Sequence, residues 1–336
     1  MLPASVCSRQ DRQGRPNRAV ALKLQGQRVM GKKVDNWPEQ LRDLWSGEIE
    51  WNSSMARWCT LQVGGPARAV AMPANREELQ SLLDVLGRIG VCWRVIGRGS
   101  NLLVSDAGYE GVIIMLGRKF SAIEQRGAEK VGDARVQVEA GCSLMKLVNW
   151  CVDHGLQGLE FAAGIPGSVG GAVVMNAGAW GKEMSEPLSS VTFLCGSGQF
   201  VEREKKDLAF SYRHLESEAM IVVAAEFLLQ AGDRQTIDKR CTQLMRERKA
   251  KQPQGQANAG SFFKNPVGFP AAGKLIQDAE LKGVRVGGAQ VSEVHANFLV
   301  NTGSATAQDF LDLMRLVQEK VAERFGVRLE PEVHIL

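Results

Sequence analysis

Gly158-Leu-Glu-Phe-Ala-Ala-Gly-Ile-Pro-Gly-Ser-Val-Gly-Gly-Ala-Val-Val-Met-Asn-Ala-Gly-Ala-Trp-Gly181 holds seven glycines, one proline and no lysine or arginine. Ile165, Val169, Val173, Val174 and Met175 make it too apolar for a linker, so it reads as a buried loop. Glycine is placed where backbone takes positive φ or approaches a ligand closely, and successive free N–H groups make a concave anion site. A diphosphate fits that description. A tight structural turn packed under a sheet fits the composition equally well.

The bounds around this stretch are simple. The chain has 336 residues, 44% of them hydrophobic, enough for a buried core and for two or three domains. Net charge is +4, but the first 33 residues hold eight Lys or Arg against the single Asp11, so the tail is +7 and the rest −3. A mildly acidic body argues against a nucleic-acid groove. Cys7, Cys59, Cys92, Cys142, Cys151, Cys195 and Cys241 stand singly, as free thiols of a reducing compartment rather than disulfides or zinc ligands. No metal site is expected. Apolar runs such as Val112 to Leu116 and Met220 to Leu229 are too short to cross a bilayer. The basic tail is expected to be an unstructured extension or a late start at Met30 rather than a targeting peptide. Val34 to Trp51, with Trp37, Trp45 and Trp51, reads as a segment packing onto the body.

Taken in order, Thr60 to Pro73 reads as a strand turning at Gly64-Gly65-Pro66. A helix follows, with Asn75 as N-cap, apolar Leu79, Leu82, Leu83 and Leu86 at helical spacing, and Gly90 at its C-terminal end. Val91 to Ile96 reads as a strand that ends in a second glycine loop, Gly97-Arg-Gly-Ser-Asn-Leu-Leu-Val104. That loop begins a G-x-G-x-x-G pattern, yet position 102 is Leu and another apolar strand follows, which excludes the dinucleotide fingerprint. Neither Gly181-Lys182 nor Gly273-Lys274 continues into the Ser or Thr of a Walker A loop. Further helices are expected over Leu144 to His154, Arg234 to Lys251 and Ala307 to Arg324. Two glycine loops clasping one extended ligand is the inference.

Five motifs together resemble the UDP-N-acetylenolpyruvoylglucosamine reductase (UDP-N-acetylmuramate dehydrogenase) family. They are the 97–104 loop, Gly164-Ile-Pro-Gly-Ser-Val-Gly-Gly171 with Asn176-Ala-Gly178, Ser211-Tyr-Arg213, Ala259-Gly-Ser-Phe-Phe-Lys-Asn-Pro266 and Leu329-Glu-Pro-Glu-Val333. The resemblance runs from about Met55 to the C-terminus. It implies an α+β flavoprotein of three lobes, two FAD-binding lobes of the vanillyl-alcohol-oxidase type and a C-terminal α+β substrate lobe. The expected division is a basic extension over 1–50, FAD lobes over 51–120 and 121–232, and the substrate lobe over 233–336. It further implies a cytoplasmic enzyme, expected as a monomer, that reduces UDP-N-acetylglucosamine enolpyruvate in peptidoglycan precursor synthesis, using non-covalent FAD and NADPH as hydride donor. An FAD-dependent oxidase would share both glycine loops and is the alternative.

By motif position the FAD contacts would be Gly97, Arg98, Gly99, Ser100, Asn101 and Leu102 in the first loop. In the second they would be Gly164, Ile165, Pro166, Gly167, Ser168, Gly170, Gly171, Asn176, Ala177 and Gly178. Arg213 and Glu332 are the candidates for holding a substrate carboxylate, since a guanidinium is a planar two-donor fork and a protonated acid adds a donor. Ser261, flanked by Phe262 and Phe263, is the candidate proton donor; read without the resemblance, it is a structural serine. Tyr212, Lys251, Asn265, Lys282 and His295 are carried over as substrate contacts, His295 on a strand-like stretch. His334 stands where the family often has Arg. Only 47 residues separate Arg213 from Ser261, which resembles the short, second type without the inserted substrate-covering tyrosine loop. The tryptophan-bearing 34–51 segment is then a candidate for closing the site.

Overall fold

The computed structural model describes residues 36–127, 132–217 and 220–336. The basic tail and the Met30 reading lie outside the described residues. The first lobe is a four-stranded sheet ordered Glu48–Ser54, Pro66–Met72, Tyr109–Met115, Trp93–Ile96, with the first pair antiparallel and the others parallel. Helices α1 (Trp37–Leu44) and α2 (Arg76–Ile89) cover one face. The Asn75 side chain accepts from Glu78 N at 2.8 Å and Gly90 sits at φ +67, so both ends of α2 are capped as its sequence predicts. Its six buried residues share a core with α1, where Trp45 is buried and donates Nε1–H to the Glu78 carbonyl at 3.2 Å. Residues 36–50 are therefore folded into the first lobe, and its boundary at 51 falls too late.

The expected strand at Thr60 begins only at Pro66. Leu61 and Val63 are instead buried in the core of the third lobe, which holds the 60–65 segment off the sheet. Nor are the two strands of the crossover unit neighbours, because Tyr109–Met115 inserts between them.

The second lobe is an antiparallel sheet ordered Phe200–Glu204, Leu188–Cys195, Met220–Ala231, Asp133–Glu139, Ile123–Arg126. Its long central strand is apolar over Ile221 to Phe227 apart from Glu226, which is buried in an ion pair with Arg135 at 2.7 Å. Helices α3 (Leu144–Asp153) and α4 (Val169–Val174) pack here. The second glycine stretch is thus not loop throughout: Ser168 caps α4 by accepting from Gly171 N. Helix α5 (Arg234–Lys251) buries Ile237 and Cys241 in the same core, so the expected break at 233 falls one helix early.

The third lobe sets α6 (Ala272–Asp278) and α7 (Ala307–Phe325) on four short antiparallel strands ordered 257–258, 299–301, 289–291, 285–286. Helix α7 starts in a Thr306–Asp309 capping box and ends at Gly326, φ +69. Three connections weld this lobe to the first. Asn301 Nδ2 donates to the Leu61 carbonyl at 3.0 Å; His334–Ile335 pairs in parallel with Leu102–Leu103; and both Asp106 carboxylate oxygens accept from the first turn of α7, at Ala307 N (2.8 Å) and Gln308 N (2.9 Å). A carboxylate at a helix N-terminus is matched to its orphan donors and its dipole. Asp106→Ala is expected to cost about 1–2 kcal/mol, measured as a lower urea midpoint at unchanged slope.

Candidate active site

The two glycine loops face each other through side chain–backbone contacts. A Cβ at Gly97 would collide with Ser168 Oγ, and Ser100 Oγ donates to the Pro166 carbonyl at 3.2 Å. Between the loops and the third lobe lies a cavity of ≈ 680 Å³, inside the usual range for small-molecule sites.

Three distant segments bring the catalytic candidates to its wall. Arg213 tops the turn joining Phe210–Ser211 to His214–Leu215 and holds φ +59, left-handed for a non-glycine residue. Its Nε donates to Glu332 Oε1 at 3.0 Å, its Nη2 to the Gly178 carbonyl at 3.4 Å, and its guanidinium lies 4.8 Å from the Tyr212 ring centre. Ser261 and Glu332 are set beside one another by backbone pairing: Glu332 N donates to the Phe262 carbonyl at 2.8 Å, and Lys264 N to the Glu330 carbonyl at 2.8 Å. Phe262 and Phe263 are fully buried behind Ser261, with Phe262 stacked on Phe310 of α7. Arg213, Ser261 and Glu332 all line the cavity.

Fourteen of the sixteen cofactor candidates line it as well. Gly164 and Asn176 do not. Gly164 packs against the Arg248 side chain, while Asn176 is buried and bonds Glu183, the Ser211 carbonyl and Ser185 N. Of the substrate candidates, Lys251 and His295 reach the cavity. Tyr212 is exposed beside Arg213, Lys282 lies off the cavity, and Asn265 spends its Oδ1 on Ala272 N at the start of α6. His295 sits in the turn after the Ala289–Val291 strand, not on a strand. None of Trp37, Trp45 and Trp51 lines the cavity, so that segment is not what closes it.

Sequence reasoning missed Trp180, Arg248 and Glu183. Trp180 lines the cavity at φ +58, with the Lys251 ammonium 5.4 Å from its ring centre. Arg248 lies one turn before Lys251 on α5, and its buried Nε has no hydrogen-bond partner among the described residues. An i, i+3 pair of cations in an Arg/Lys-rich helix reads as solvated charge, so spacing gave the only signal.

A family model for the UDP-N-acetylenolpyruvoylglucosamine reductase C-terminal domain matches residues 252–336, and one for an FAD-binding domain matches 67–203. A UDP-N-acetylenolpyruvoylglucosamine reductase of Geotalea uraniireducens is 47% identical over 291 residues, 86% of this chain and 94% of the relative. One from Syntrophus aciditrophicus is 40% identical over 306 residues, covering 89% and 95%. The chain belongs to the UDP-N-acetylenolpyruvoylglucosamine reductase family. The crystal structure of the Thermus caldophilus enzyme superposes with TM-score 0.73 at 36% identity, covering 86% of this chain and 98% of that one.

The FAD-binding match spans both glycine loops, and the C-terminal match carries Ser261 and Glu332. This member of the family is accordingly an FAD-binding oxidoreductase of α+β fold. Its cavity suits the cofactor: neither Gly97 to Leu102 nor Gly164 to Gly178 contains an acid, and the unpartnered Arg248 Nε offers a donor to an anion. Among the described residues no helix is long and apolar enough to cross a membrane, and no group of three or more His, Cys, Asp or Glu is placed to hold a metal.

Burial raises the Glu332 carboxyl above its ordinary value, against the opposing pull of Arg213. Burial lowers both imidazoles, His295 with help from Lys282 and His334 with help from Lys264, Arg94 and His214. The unfolded chain therefore takes up protons at these histidines from their ordinary 6.5, while the folded chain refuses them until lower pH. Their contribution is complete above 6.5 and is lost as pH falls below it. A His295→Gln/His334→Gln variant should lose less urea stability than the parent between about pH 7.5 and 5.5; equal losses in the two would show that other groups control the decline.

Proposed function

We propose that the protein reduces UDP-N-acetylglucosamine enolpyruvate to UDP-N-acetylmuramate with NADPH as hydride donor, supplying peptidoglycan precursors in the cytoplasm as a monomer of the short, second type. The observation that supports this most directly is the convergence of Arg213, Ser261 and Glu332 on one cavity walled by both glycine loops. When bound, the flavin supplies the hydride that the terminal methylene carbon of the enol ether accepts. The chain's own residues do the rest. Arg213 and a protonated Glu332 hold the substrate carboxylate as it takes up enolate charge, and Ser261 Oγ gives its proton to the carbon bearing the ether oxygen. The proton and the hydride together complete the two-electron reduction of the double bond.

The buried Phe262 and Phe263 anchor the segment that carries Ser261, and the carbanionic carbon is a base strong enough to draw a hydroxyl proton. Arg248 and Lys251 supply cations for the anionic parts of cofactor and substrate, with Trp180 and His295 completing the substrate side.

The test is anaerobic. The purified yellow protein is reduced with NADPH, enolpyruvyl substrate is added, and flavin absorbance is followed. Prompt reoxidation without oxygen is expected; reoxidation by air alone would give the site to an oxidase. Ser261→Ala should keep reduction by NADPH and slow substrate-driven reoxidation by about 10²–10⁴-fold. Arg248→Met should weaken flavin retention by about tenfold or more, seen as release of free flavin on dilution.

A further inference from the structure

Glu183 stands on the far side of Arg213 from Glu332. Its Oε1 is 4.0 Å from Arg213 Nη1, and its Oε2 accepts from Asn176 Nδ2 at 2.7 Å. Asn176 is buried, takes φ +40, and also donates to the Ser211 carbonyl at 3.2 Å, at the base of the turn that carries Arg213. One amide thus fixes both the second carboxylate and the turn. Across the guanidinium, Glu332 accepts from Nε at 3.0 Å. A single guanidinium is therefore shared by two carboxylates.

We propose that Glu183 is a positioning residue that directs a proton onto Glu332 when the substrate carboxylate enters the site. The proposal rests on the reading that Glu332 acts as a neutral donor to that carboxylate. Three carboxylates cannot all stay ionised around one guanidinium, because like charges at a few ångströms penalise the last to ionise. Which one takes the proton follows from solvation. The Glu332 side chain is 15% exposed and that of Glu183 is 36% exposed. Glu183 is the more exposed of the two, and its Oε2 is already held by Asn176 Nδ2. Glu332 has less water, and its burial already favours the neutral acid.

The remaining charges around Glu332 do not reverse this order. Lys264 favours its anion, but that ammonium is engaged by Glu330 at 3.9 Å. His334, two residues on, is held toward its neutral form by burial and by Lys264, Arg94 and His214. Removing the Glu183 charge leaves Arg213 to Glu332 alone and makes Glu332 easier to ionise.

Glu183→Gln retains an acceptor for Asn176 and deletes the charge. In the flavin-loaded protein, the ¹³C carboxyl resonance of Glu332, assigned with Glu332→Gln, should titrate at lower pH in Glu183→Gln than in the parent. The alkaline limb of the substrate-driven reoxidation rate should move the same way, by about half a pH unit or more. Glu183→Ala should shift both in the same direction, and Glu183→Asp, which keeps the charge, should shift neither appreciably. If Glu183→Gln fails to fold, the Ala and Asp variants carry the comparison. Reduced activity with unmoved midpoints in the charge-deleting variants would overturn the proposal and leave Glu183 a scaffold residue. The carboxyl titration needs no turnover, so it separates this failure from that of the proposed activity, which the parent's lack of anaerobic reoxidation would reveal.

Discussion

Asn101 and the last turn of chain hold each other twice. Its Nδ2 donates to the Glu332 carbonyl at 3.0 Å, and its own carbonyl accepts from His334 N at 3.0 Å. One residue of the first glycine loop therefore fixes the backbone on both sides of Val333. Everything at the site depends on this. Glu332 enters the cavity because the 330–336 segment is held on one side by the 101–103 segment and on the other by Phe262 to Lys264. Asn101 and Glu332 are 231 positions apart, so the contact forms only when the first and third lobes are docked. The Asp106 grip on α7 and the burial of Leu61 and Val63 in the third-lobe core oppose undocking at separate points. Catalytic geometry in this protein is a consequence of lobe assembly.

The second lobe contributes through strain as well as packing. Arg213, Asn176 and Trp180 are all non-glycine residues at positive φ; Arg213 and Trp180 line the cavity, and Asn176 lies behind it, bonded to the base of the Arg213 turn. Such conformations persist only where their surroundings over-determine them. Here the surroundings are explicit: Asn176 is bonded at both ends of its amide, and Arg213 is bonded to Glu332 and to Gly178. The protein's own groups hold the guanidinium in place, which is what its proposed role opposite a substrate carboxylate requires.

Local structure was legible because its causes are local. The caps of α2 and the spans of α5 and α7 follow from side chains within a turn or two of where they act. Strand order and lobe boundaries were not, because Tyr109–Met115 inserts into the first sheet and α5 joins the second lobe through contacts far away in sequence. The site divides in the same way. Arg213, Ser261 and Glu332 were found by motif and meet in space. Asn176 and Asn265 are expected as ligand contacts, yet Asn176 bonds Glu183 and the backbone of Ser211 and Ser185, and the Asn265 oxygen accepts from Ala272 N, because an asparagine that holds a loop has the same sequence signature as one that holds a ligand. Arg248 was hidden by the opposite ambiguity, as a cavity-lining cation on a charged helix.

The glycine loops show why composition alone left two readings open. The packing reading accounts for particular residues. A side chain at Gly99 would run into the Trp58 carbonyl and one at Gly170 into Ala140, so these glycines answer to the protein's own packing. Gly97 answers to the opposite loop through Ser168. Glycine-rich composition here first allows two loops to touch and to lie flat on their lobes. The ligand space is what remains between them, open toward Arg248, Lys251 and the Arg213–Glu332 pair. Its electrostatics are therefore set by charged side chains from several elements, Arg248 and Lys251 on α5, Arg213 on the 211–214 turn, Glu332 near the C-terminus and Arg94 and Arg98 at the first loop, more than by glycine backbone.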